Sequence, residues 1–280
     1  KIDEFAPYAK IIHVDIDPTS ISKNVRVHIP IVGDVRLVLR DMIKAIPKGK
    51  PLRDYKAATR EWREQVAAWA DAHKLGYKFE PNGKIKPQYV IEKLYEATGG
   101  DAIVTTEVGQ NQMWAAQFFK YDRPRTFITS GGLGTMGFGF PAAIGAQVAC
   151  PKRTVIAVAG DGSLQMNIQE LATAVQYKLP VKVAIINNMV LGMVRQWQEF
   201  FFDRRYSHTC VSVAPDFVKV AEAYGAVGMR ATKPAEVVGV IKEAMKVKDR
   251  PVFMDFKVDP FECVYPMVPA GQPLNKMLLV

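Results

Sequence analysis

The sequence predicts an α/β fold built on a doubly wound, mainly parallel sheet. From Asp101 onward, short apolar segments rich in β-branched residues alternate with helical patterns. This alternation is typical of parallel strands that helices cover on both faces. The predicted strands are Ala102–Thr105, Thr154–Ala159, Val181–Ile186 and Val252–Phe256, with a weaker one at Gly225–Met229. The predicted helices lie near 110–119, 139–149, 167–177, 215–224 and 234–247.

Composition indicates an ordinary globular protein and narrows the classes of function. The 280 residues are 49% hydrophobic and 23% charged, which excludes a disordered or fibrous chain. The net charge is +9, but the basic residues form no stripe, so we expect no nucleic-acid partner. No apolar run approaches the roughly 18 residues of a membrane span, so we expect no membrane partner. Cys150, Cys210 and Cys263 lack ligand-like spacing and are predicted to be buried thiols in a reducing compartment.

Residues 1–46 are predicted to hold one strand and one helix. The β-branched run Ala9–Pro18 predicts a buried strand, and Asp34 predicts the amino-terminal cap of a helix over 34–43. One strand–helix unit cannot bury both faces of a sheet. We therefore expect these residues to be either a peripheral arm or the last unit of a larger domain.

Residues 47–100 are predicted to be a linker followed by helices. The elements, in chain order, are a Pro- and Gly-containing linker at 47–51, a helix at about 53–72, a turn at 81–83 and a helix at about 87–98. Trp62, Val66 and Trp69 fall on one side of the first helix. The sheet domain is then expected over 101–258, and residues 259–280 form a carboxy-terminal tail.

The turn Gly160–Ser163 is the first loop that carries chemistry. Its two glycines let the backbone turn sharply after a strand and approach a ligand closely. Asp161 then lies at the carboxyl end of that strand, where ligands bind in parallel sheets. Ser163 can cap the next helix or donate to a phosphate. On these four residues alone, a tight turn in which Asp161 caps a helix is an open alternative.

A double asparagine ends the next predicted strand. Asn187 and Asn188 follow Val181–Ile186, and consecutive parallel strands joined by one crossover often lie side by side. Asp161 and Asn188 are therefore expected to meet. A carboxylate, an amide oxygen and a main-chain carbonyl just beyond, at Val190, form the hard oxygen set that Mg²⁺ prefers. The pair predicts a magnesium ion that bridges to a diphosphate.

Two more loops, each before a predicted helix, carry candidate binding residues. Thr129–Ala143 contains five glycines in nine residues, which excludes helix and strand there and leaves a backbone surface that can press against a flat ligand. Glu107–Trp114 places amide side chains at a helix start, where they could bind phosphate. For Glu107–Trp114, ordinary helix capping is an equal alternative.

The Gly-Asp-Gly turn and the double asparagine on two successive strands resemble the thiamine-diphosphate binding motif. The resemblance implies that Gly134 offers a carbonyl to the aminopyrimidine ring and that Met136 contacts this ring. It places Gln110 and Asn111 at the diphosphate end, although many relatives have His where Asn111 stands. The residues that the resemblance assigns to thiamine diphosphate are Gly109, Gln110, Asn111, Gly134, Met136, Asp161, Gly162, Ser163, Asn188, Gly192 and Met193.

The segment Gly192–Phe200 is a more specific signal than the thiamine-diphosphate binding motif. It reads GMVRQWQEF and, with GQNQMWAAQ and SGGLGTMGFGFPAAIG, it resembles the catalytic large subunits of the acetolactate synthase family. The resemblance implies that Met193 supports the bent cofactor and that Val194 and Trp197 line the pocket of the acceptor substrate. Without the resemblance, Met193 and Trp197 are a helical i, i+4 pair of the kind that more often belongs to a core.

The acetolactate synthase resemblance implies a transferase of branched-chain amino acid biosynthesis. The implied reaction decarboxylates pyruvate and joins the remaining two-carbon unit to a second 2-oxo acid, pyruvate or 2-oxobutyrate. The implied partners are a second catalytic subunit and, in addition, a small regulatory subunit. The implied location is the bacterial cytoplasm, with a plastid as the alternative.

The same resemblance implies what this chain lacks. Lys10–Asp17 and 32–34 resemble the end of a central Rossmann-like domain, with Asp15 and Asp34 near FAD. In the family, the glutamate that activates the cofactor comes from the amino-terminal domain of a partner subunit, and neither Glu107 nor Glu170 matches it. We therefore expect a carboxy-terminal part of a longer subunit that is inactive alone.

Two other functions stay open at this point. Another thiamine-diphosphate enzyme, such as a 2-oxo-acid decarboxylase, an oxidase or a glyoxylate carboligase, would share the motif but not the GMVRQWQ segment. A nucleotide- or diphosphate-binding module without turnover would share the binding loops but not the reaction.

Overall fold

The residues described by the computed structural model are 1–46, 48, 54–211, 213 and 215–279. They form two compact units: Lys1–Leu75 with Tyr265–Val280, and Gly76–Val264. The predicted linker at 47–51 lies outside the described residues except for Lys48. The domain boundaries expected after residues 46, 100 and 258 stay predictions. Across the described residues, every helix is too short or too polar to cross a membrane.

In its described residues, the first unit contains a small sheet and three helices. Its elements are β1 (Ile12–Asp15), β2 (Ile29–Val32), α1 (Val35–Ala45), α2 (Tyr55–Ala58) and α3 (Arg60–Ala72), with 3₁₀ turns at Ile2–Glu4 and Pro18–Ser20. β1 and β2 pair in parallel. The predicted cap at Asp34 is confirmed, because its carboxylate accepts the N–H groups of Arg36 and Leu37.

The first unit departs from three predictions. Residues 1–46 hold two strands, β1 and β2, where one was predicted. The strand predicted within Ala9–Pro18 exists, but its burial is wrong: Ile12 is 48% exposed and no residue of β1 is buried. Two strands are too few to enclose their own side chains. The helix predicted at about 53–72 is divided at Thr59, between α2 and α3, and residue 53 lies outside the described part. Trp62 and Trp69 do share one side of α3, with ring centroids 5.6 Å apart.

The second unit is an open sheet with helices on both faces. Its helices are α4 (Pro87–Thr98), α5 (Gln110–Phe118), α6 (Gly139–Ala149), α7 (Asp161–Leu164), α8 (Leu171–Gln176), α9 (Gly192–Phe201), α10 (Phe217–Ala223) and α11 (Pro234–Lys246), with a 3₁₀ turn at Ile168–Glu170. Its strands are β3 (Ala102–Thr106), β4 (Phe127–Thr129), β5 (Thr154–Gly160), β6 (Lys182–Asn187), β7 (Val227–Ala231) and β8 (Val252–Lys257).

The order of the strands creates a switch point in this sheet. The order is β4-β3-β5-β6-β8-β7, and every neighbouring pair is parallel. From β3 the chain adds β4 on one side and then crosses back to add β5 on the other. Ligands bind beyond the carboxyl ends of strands at such a reversal. The predicted adjacency of β5 and β6 is confirmed, with Gly160 opposite Ile186.

Two apolar layers hold the helices against the sheet. Successive residues of a strand face opposite sides, so Val155 of β5 joins the layer that contains Phe140, while Ile156 joins the layer that contains Trp114. All of these side chains are almost completely buried. The prediction of a doubly wound parallel sheet is thereby confirmed.

Smaller departures concern one edge strand, one helix start and the cysteines. β4, three residues at the sheet edge, was not predicted, and the helix predicted at 167–177 begins as a 3₁₀ turn before α8. Among the thiols, only Cys263 is buried as predicted; Cys150 is half-buried and Cys210 is exposed. The turn at 81–83 and the helix at 87–98 are confirmed.

Candidate functional site

A cavity of about 240 Å³ lies at the switch point, where β3, β5 and β6 end. The eleven residues predicted to bind thiamine diphosphate all lie on its wall. Val190 and Val194, predicted for metal and substrate, also line it. Residues from four separate segments of the chain therefore converge on one space. The other lining residues are Val108, Trp114, Gly160, Ile186 and Leu191.

Asp161 supplies a buried carboxylate to this cavity. The side chain follows β5 directly and is 1% exposed. Burial raises the pKa of its carboxyl to about 7, although backbone N–H groups, including those of Gly162 and Met189, act in the opposite direction. Its Oδ2 atom is buried without a hydrogen-bond partner in the described part of the chain. A buried acceptor with no donor fits a divalent cation, which also favours the ionised form.

Asn188 faces the same cavity from the end of β6. It is 6% exposed, and the next residue, Met189, adopts a left-handed conformation with φ 59°, which turns the chain sharply. Oδ1 of Asn188 accepts the N–H group of Val190 at 3.2 Å. A carbonyl oxygen has two lone pairs, so this atom can also bind a cation. The oxygen donors of Asp161, Asn188 and the Val190 carbonyl thus fit the predicted Mg²⁺ site.

The side-chain amides of Gln110 and Asn111 contact protein groups. Nε2 of Gln110 donates to Oε1 of Gln196 at 2.9 Å and to the carbonyl of Glu262 at 3.0 Å. Nδ2 of Asn111 donates to the carbonyl of Val158 at 3.1 Å. Both hydrogens of the Gln110 amide are therefore engaged. The backbone N–H groups of the first turn of α5 have no partner within the helix and can meet a phosphate.

Glu107 organises the glycine-rich loop, a role that the sequence reasoning missed. The side chain is fully buried at the end of β3, and its carboxylate accepts the N–H groups of Gly137 at 2.6 Å and Phe140 at 2.9 Å. Burial raises the pKa of this carboxyl, and those N–H groups act against the rise. Glu107 thereby ties the loop that carries Gly134 and Met136 to the sheet. The only signal in the sequence is a carboxylate directly after a strand.

Helix α9 separates a buried face from an exposed one. Arg195 and Gln196 are buried, whereas Trp197 is 42% exposed and packs edge-on against Phe201. The core alternative for Trp197 is therefore wrong. Met193 and Val194 line both the first cavity and a second one of about 630 Å³. The remaining walls of the second cavity are Trp197, Gln198, Phe202 and Arg205.

Asp15 and Asp34, predicted near FAD, belong to the first unit. Asp15 ends β1, and Asp34 follows the neighbouring strand β2, so both lie at the carboxyl edge of the two-stranded sheet. Oδ1 of Asp15 accepts the N–H group of Asp17 at 2.9 Å, and Asp34 caps α1. Both carboxylates therefore have local structural partners, and their FAD contact stays a prediction.

Comparison with known proteins identifies two family models along the chain. Residues 107–256, more than half of the chain, match the C-terminal TPP binding domain of thiamine pyrophosphate enzymes. Residues 1–42 match the central domain of thiamine pyrophosphate enzymes. The first match includes every residue that lines the 240 Å³ cavity.

Curated relatives resemble nearly the whole chain. This chain is 48% identical over 281 residues to the acetolactate synthase isozyme 3 large subunit of Escherichia coli (strain K12). It is 46% identical over 280 residues to the acetolactate synthase large subunit of Haemophilus influenzae. Each match covers 99% of this chain and 48% of the relative. It is 48% identical to an acetolactate synthase of Mycobacterium bovis over 97% of this chain and 44% of the relative. The chain therefore spans about half the length of the curated relatives it matches.

Proposed function

This chain belongs to the thiamine pyrophosphate enzyme family, and on that premise we propose that it forms the diphosphate- and metal-binding half of an acetolactate synthase active site. The observation that carries the proposal is the convergence, at the switch point of the sheet, of the residues that the motif assigns to the cofactor. The names of the relatives, at 46–48% identity, support the choice of acetolactate synthase among thiamine-dependent enzymes.

The metal and the diphosphate would be held at the ends of β5 and β6 and at the start of α5. Asp161, Asn188 and the Val190 carbonyl would bind Mg²⁺, whose remaining positions suit phosphate oxygens. Ser163 and the first N–H groups of α5 would receive the other phosphate oxygens. The unpartnered Oδ2 of Asp161 supports this placement.

The cofactor ring would lie between the glycine-rich loop and the start of α9. Thiamine diphosphate supplies an electron sink for breaking the bond to a substrate carboxylate. Gly134 and Met136 would orient the aminopyrimidine, and Met193 would support the bent cofactor. The glutamate that activates the cofactor is expected from a partner subunit, as is the rest of the pocket.

The substrates would be 2-oxo acids. Pyruvate loses CO₂, and its two-carbon unit is joined to a second pyruvate or to 2-oxobutyrate, giving 2-acetolactate or 2-aceto-2-hydroxybutyrate. Val194 and Trp197 line the apolar 630 Å³ cavity next to the cofactor cavity, which suits the alkyl end of the acceptor. We further infer an enzyme of the bacterial cytoplasm that has FAD near Asp15 and Asp34, a second catalytic subunit and a small regulatory subunit.

The metal assignment is tested by calorimetric titration of the complete catalytic subunit that contains this chain with thiamine diphosphate in the presence of Mg²⁺. Asp161→Ala should abolish the Mg²⁺-dependent binding, because the site loses its carboxylate. Asp249→Ala is the matched control, since this aspartate is exposed and pairs with Arg250 at the other end of the sheet. Unchanged affinity in Asp161→Ala would show that the metal binds elsewhere.

The reaction is tested by incubating the complete catalytic subunit that contains this chain with pyruvate. We expect 2-acetolactate, and a mixture with 2-aceto-2-hydroxybutyrate when 2-oxobutyrate is added. Acetaldehyde or acetate as the main product would instead indicate a decarboxylase or an oxidase.

A further inference from the structure

A chain of buried amides connects the proposed metal site to the backbone of Val264. Asn188, Gln110 and Gln196 are 6%, 3% and 0% exposed. Nδ2 of Asn188 donates to Oε1 of Gln110 at 3.1 Å, and Nε2 of Gln110 donates to Oε1 of Gln196 at 2.9 Å. We propose that Gln196 is a positioning residue that, through Gln110, turns the oxygen of the Asn188 amide toward the metal. This inference rests on the proposed thiamine-diphosphate and Mg²⁺ site.

The backbone of Val264 fixes the orientation of Gln196. A side-chain amide keeps nearly the same shape when its oxygen and nitrogen exchange places, so only its partners decide which way it points. The N–H group of Val264 donates to Oε1 of Gln196 at 2.8 Å, and Nε2 of Gln196 donates to the carbonyl of Val264 at 2.9 Å. A reversed Gln196 would set donor against donor and acceptor against acceptor. Its oxygen is therefore held toward Gln110.

The orientation of Gln196 is passed on to Asn188. Because Nε2 of Gln110 has two acceptors, Oε1 of Gln196 and the Glu262 carbonyl, its oxygen must face the other way, toward Asn188. That oxygen accepts from Nδ2 of Asn188. The oxygen of Asn188 is then left on the side of the Val190 N–H group and of the cavity.

The backbone of Gly192 packs closely against two of these amides. A Cβ atom on Gly192 would lie 2.1 Å from Oε1 of Gln110 and 2.7 Å from Nδ2 of Asn188. The backbone of Gly192 therefore closes over the link between these two side chains. A reversed Asn188 amide would direct its NH₂ group at the cation, which prefers oxygen donors. This chain of hydrogen bonds from Val264 through Gln196 and Gln110 to Asn188, the amide relay, thus prevents the Asn188 orientation that would weaken the metal site.

Gln196→Met tests the relay, because Met has a similar size but neither donates nor accepts a strong hydrogen bond. We expect the Mg²⁺ affinity, measured by calorimetry at saturating thiamine diphosphate, to fall about 10–100-fold, as is usual when a residue that orients a metal ligand is lost. Gln147→Met is the matched control. Gln147 is 1% exposed, and its Nε2 donates to carbonyls of Cys150 at 3.2 Å and Arg153 at 3.1 Å, before β5 begins. It should lose stability without losing Mg²⁺ affinity.

A double variant separates positioning from a general loss of structure. If Gln196 acts through Gln110, the Mg²⁺ affinity of Gln110→Met combined with Gln196→Met should equal that of Gln110→Met alone, whereas independent effects would multiply. Should Gln196→Met fail to fold, Gln196→Asn serves in its place. Its amide is one methylene too short to reach both Gln110 and Val264, and the affinity should again fall roughly tenfold.

The outcomes distinguish this inference from the proposed function. An Mg²⁺ affinity of Gln196→Met within twofold of the wild type, an equal loss in Gln147→Met, or multiplying effects in the double variant would each overturn the relay. A complete wild-type catalytic subunit without Mg²⁺-dependent cofactor binding would refute the proposed function itself, and the positioning role of Gln196 with it. Only a loss that is specific to Gln196 and absorbed by Gln110→Met supports the positioning role.

Discussion

Gly192→Ala should damage the candidate site without removing any functional group. The added Cβ would lie 2.1 Å from Oε1 of Gln110 and 2.7 Å from Nδ2 of Asn188. Gln110 cannot recede freely, because Gln196 and the Glu262 carbonyl hold its amide nitrogen. The new methyl group must therefore push Gln110 and Asn188 apart.

The expected magnitude follows from these contacts. Overpacking a filled interior costs about 1–3 kcal/mol. Separating the two amides leaves buried polar groups unpaired, at about 1–3 kcal/mol. These costs overlap, so we expect the free energy of unfolding to fall by about 2–4 kcal/mol. The affinity for thiamine diphosphate and Mg²⁺ should fall at least about tenfold, since Asn188 is displaced.

Denaturant unfolding and calorimetric titration of the purified protein measure the two effects. Gly145→Ala is the control: its Cβ would meet nothing within 4 Å inside α6, and alanine should raise the stability of a helix interior by up to about 1 kcal/mol. A Gly192→Ala variant as stable as the wild type, with the same cofactor affinity, would refute the packing argument.

Three further predictions concern specificity, pH and the isolated chain. Trp197→Leu in the complete enzyme should keep 2-acetolactate formation but reduce the preference for 2-oxobutyrate by about tenfold, since one methylene in an apolar pocket is worth about 1–3 kcal/mol; an unchanged product ratio in a competition assay would remove Trp197 from the acceptor pocket. Lys182 is 2% exposed, and burial lowers the pKa of its ammonium from 10.5 to about 8. The contribution of Lys182 to stability should therefore rise between pH 8 and 10.5, because the unfolded chain binds more protons at this group there. Lys182→Met should raise the free energy of unfolding by about 1 kcal/mol at pH 7, after allowing for the lost hydrogen bond to the Val247 carbonyl. This gain should vanish as the pH rises, and urea unfolding at pH 7 and at pH 10.5 would measure it. The 280-residue chain alone should form no 2-acetolactate from pyruvate, and turnover by a preparation free of longer enzyme would show that it contains the activating carboxylate.

Most of the second unit could be predicted because its signals are local. A β-branched apolar run forms a strand wherever it is buried on both faces, and the helices between the strands keep their own periodicity. Gly160 and Asp161 mark the end of β5, and Asn187 and Asn188 mark the end of β6, whatever surrounds them. The rule that consecutive parallel strands lie side by side then brought Asp161 near Asn188.

The features that the sequence did not predict depend on contacts with distant parts of the chain. β4 is only three residues long, and its pairing with the end of β3 depends on hydrogen bonds from a neighbour rather than on a pattern of its own. Periodicity alone also favours a core position for Trp197, yet this residue is 42% exposed and lines a cavity, as the family resemblance had implied. Periodicity identifies one face of a helix, but the neighbouring elements decide whether that face is covered.

The sequence by itself determined the long strands of the larger sheet, the glycine turns and the donor types of the candidate site. Only the tertiary structure decided how those donors are aimed. Glu107 meets Gly137 across 30 positions, and Gln110 meets Asn188 across 78 positions and Glu262 across 152. The physical reason is that an amide or carboxylate has no preferred direction of its own: its orientation is set by donors and acceptors that folding brings from distant segments.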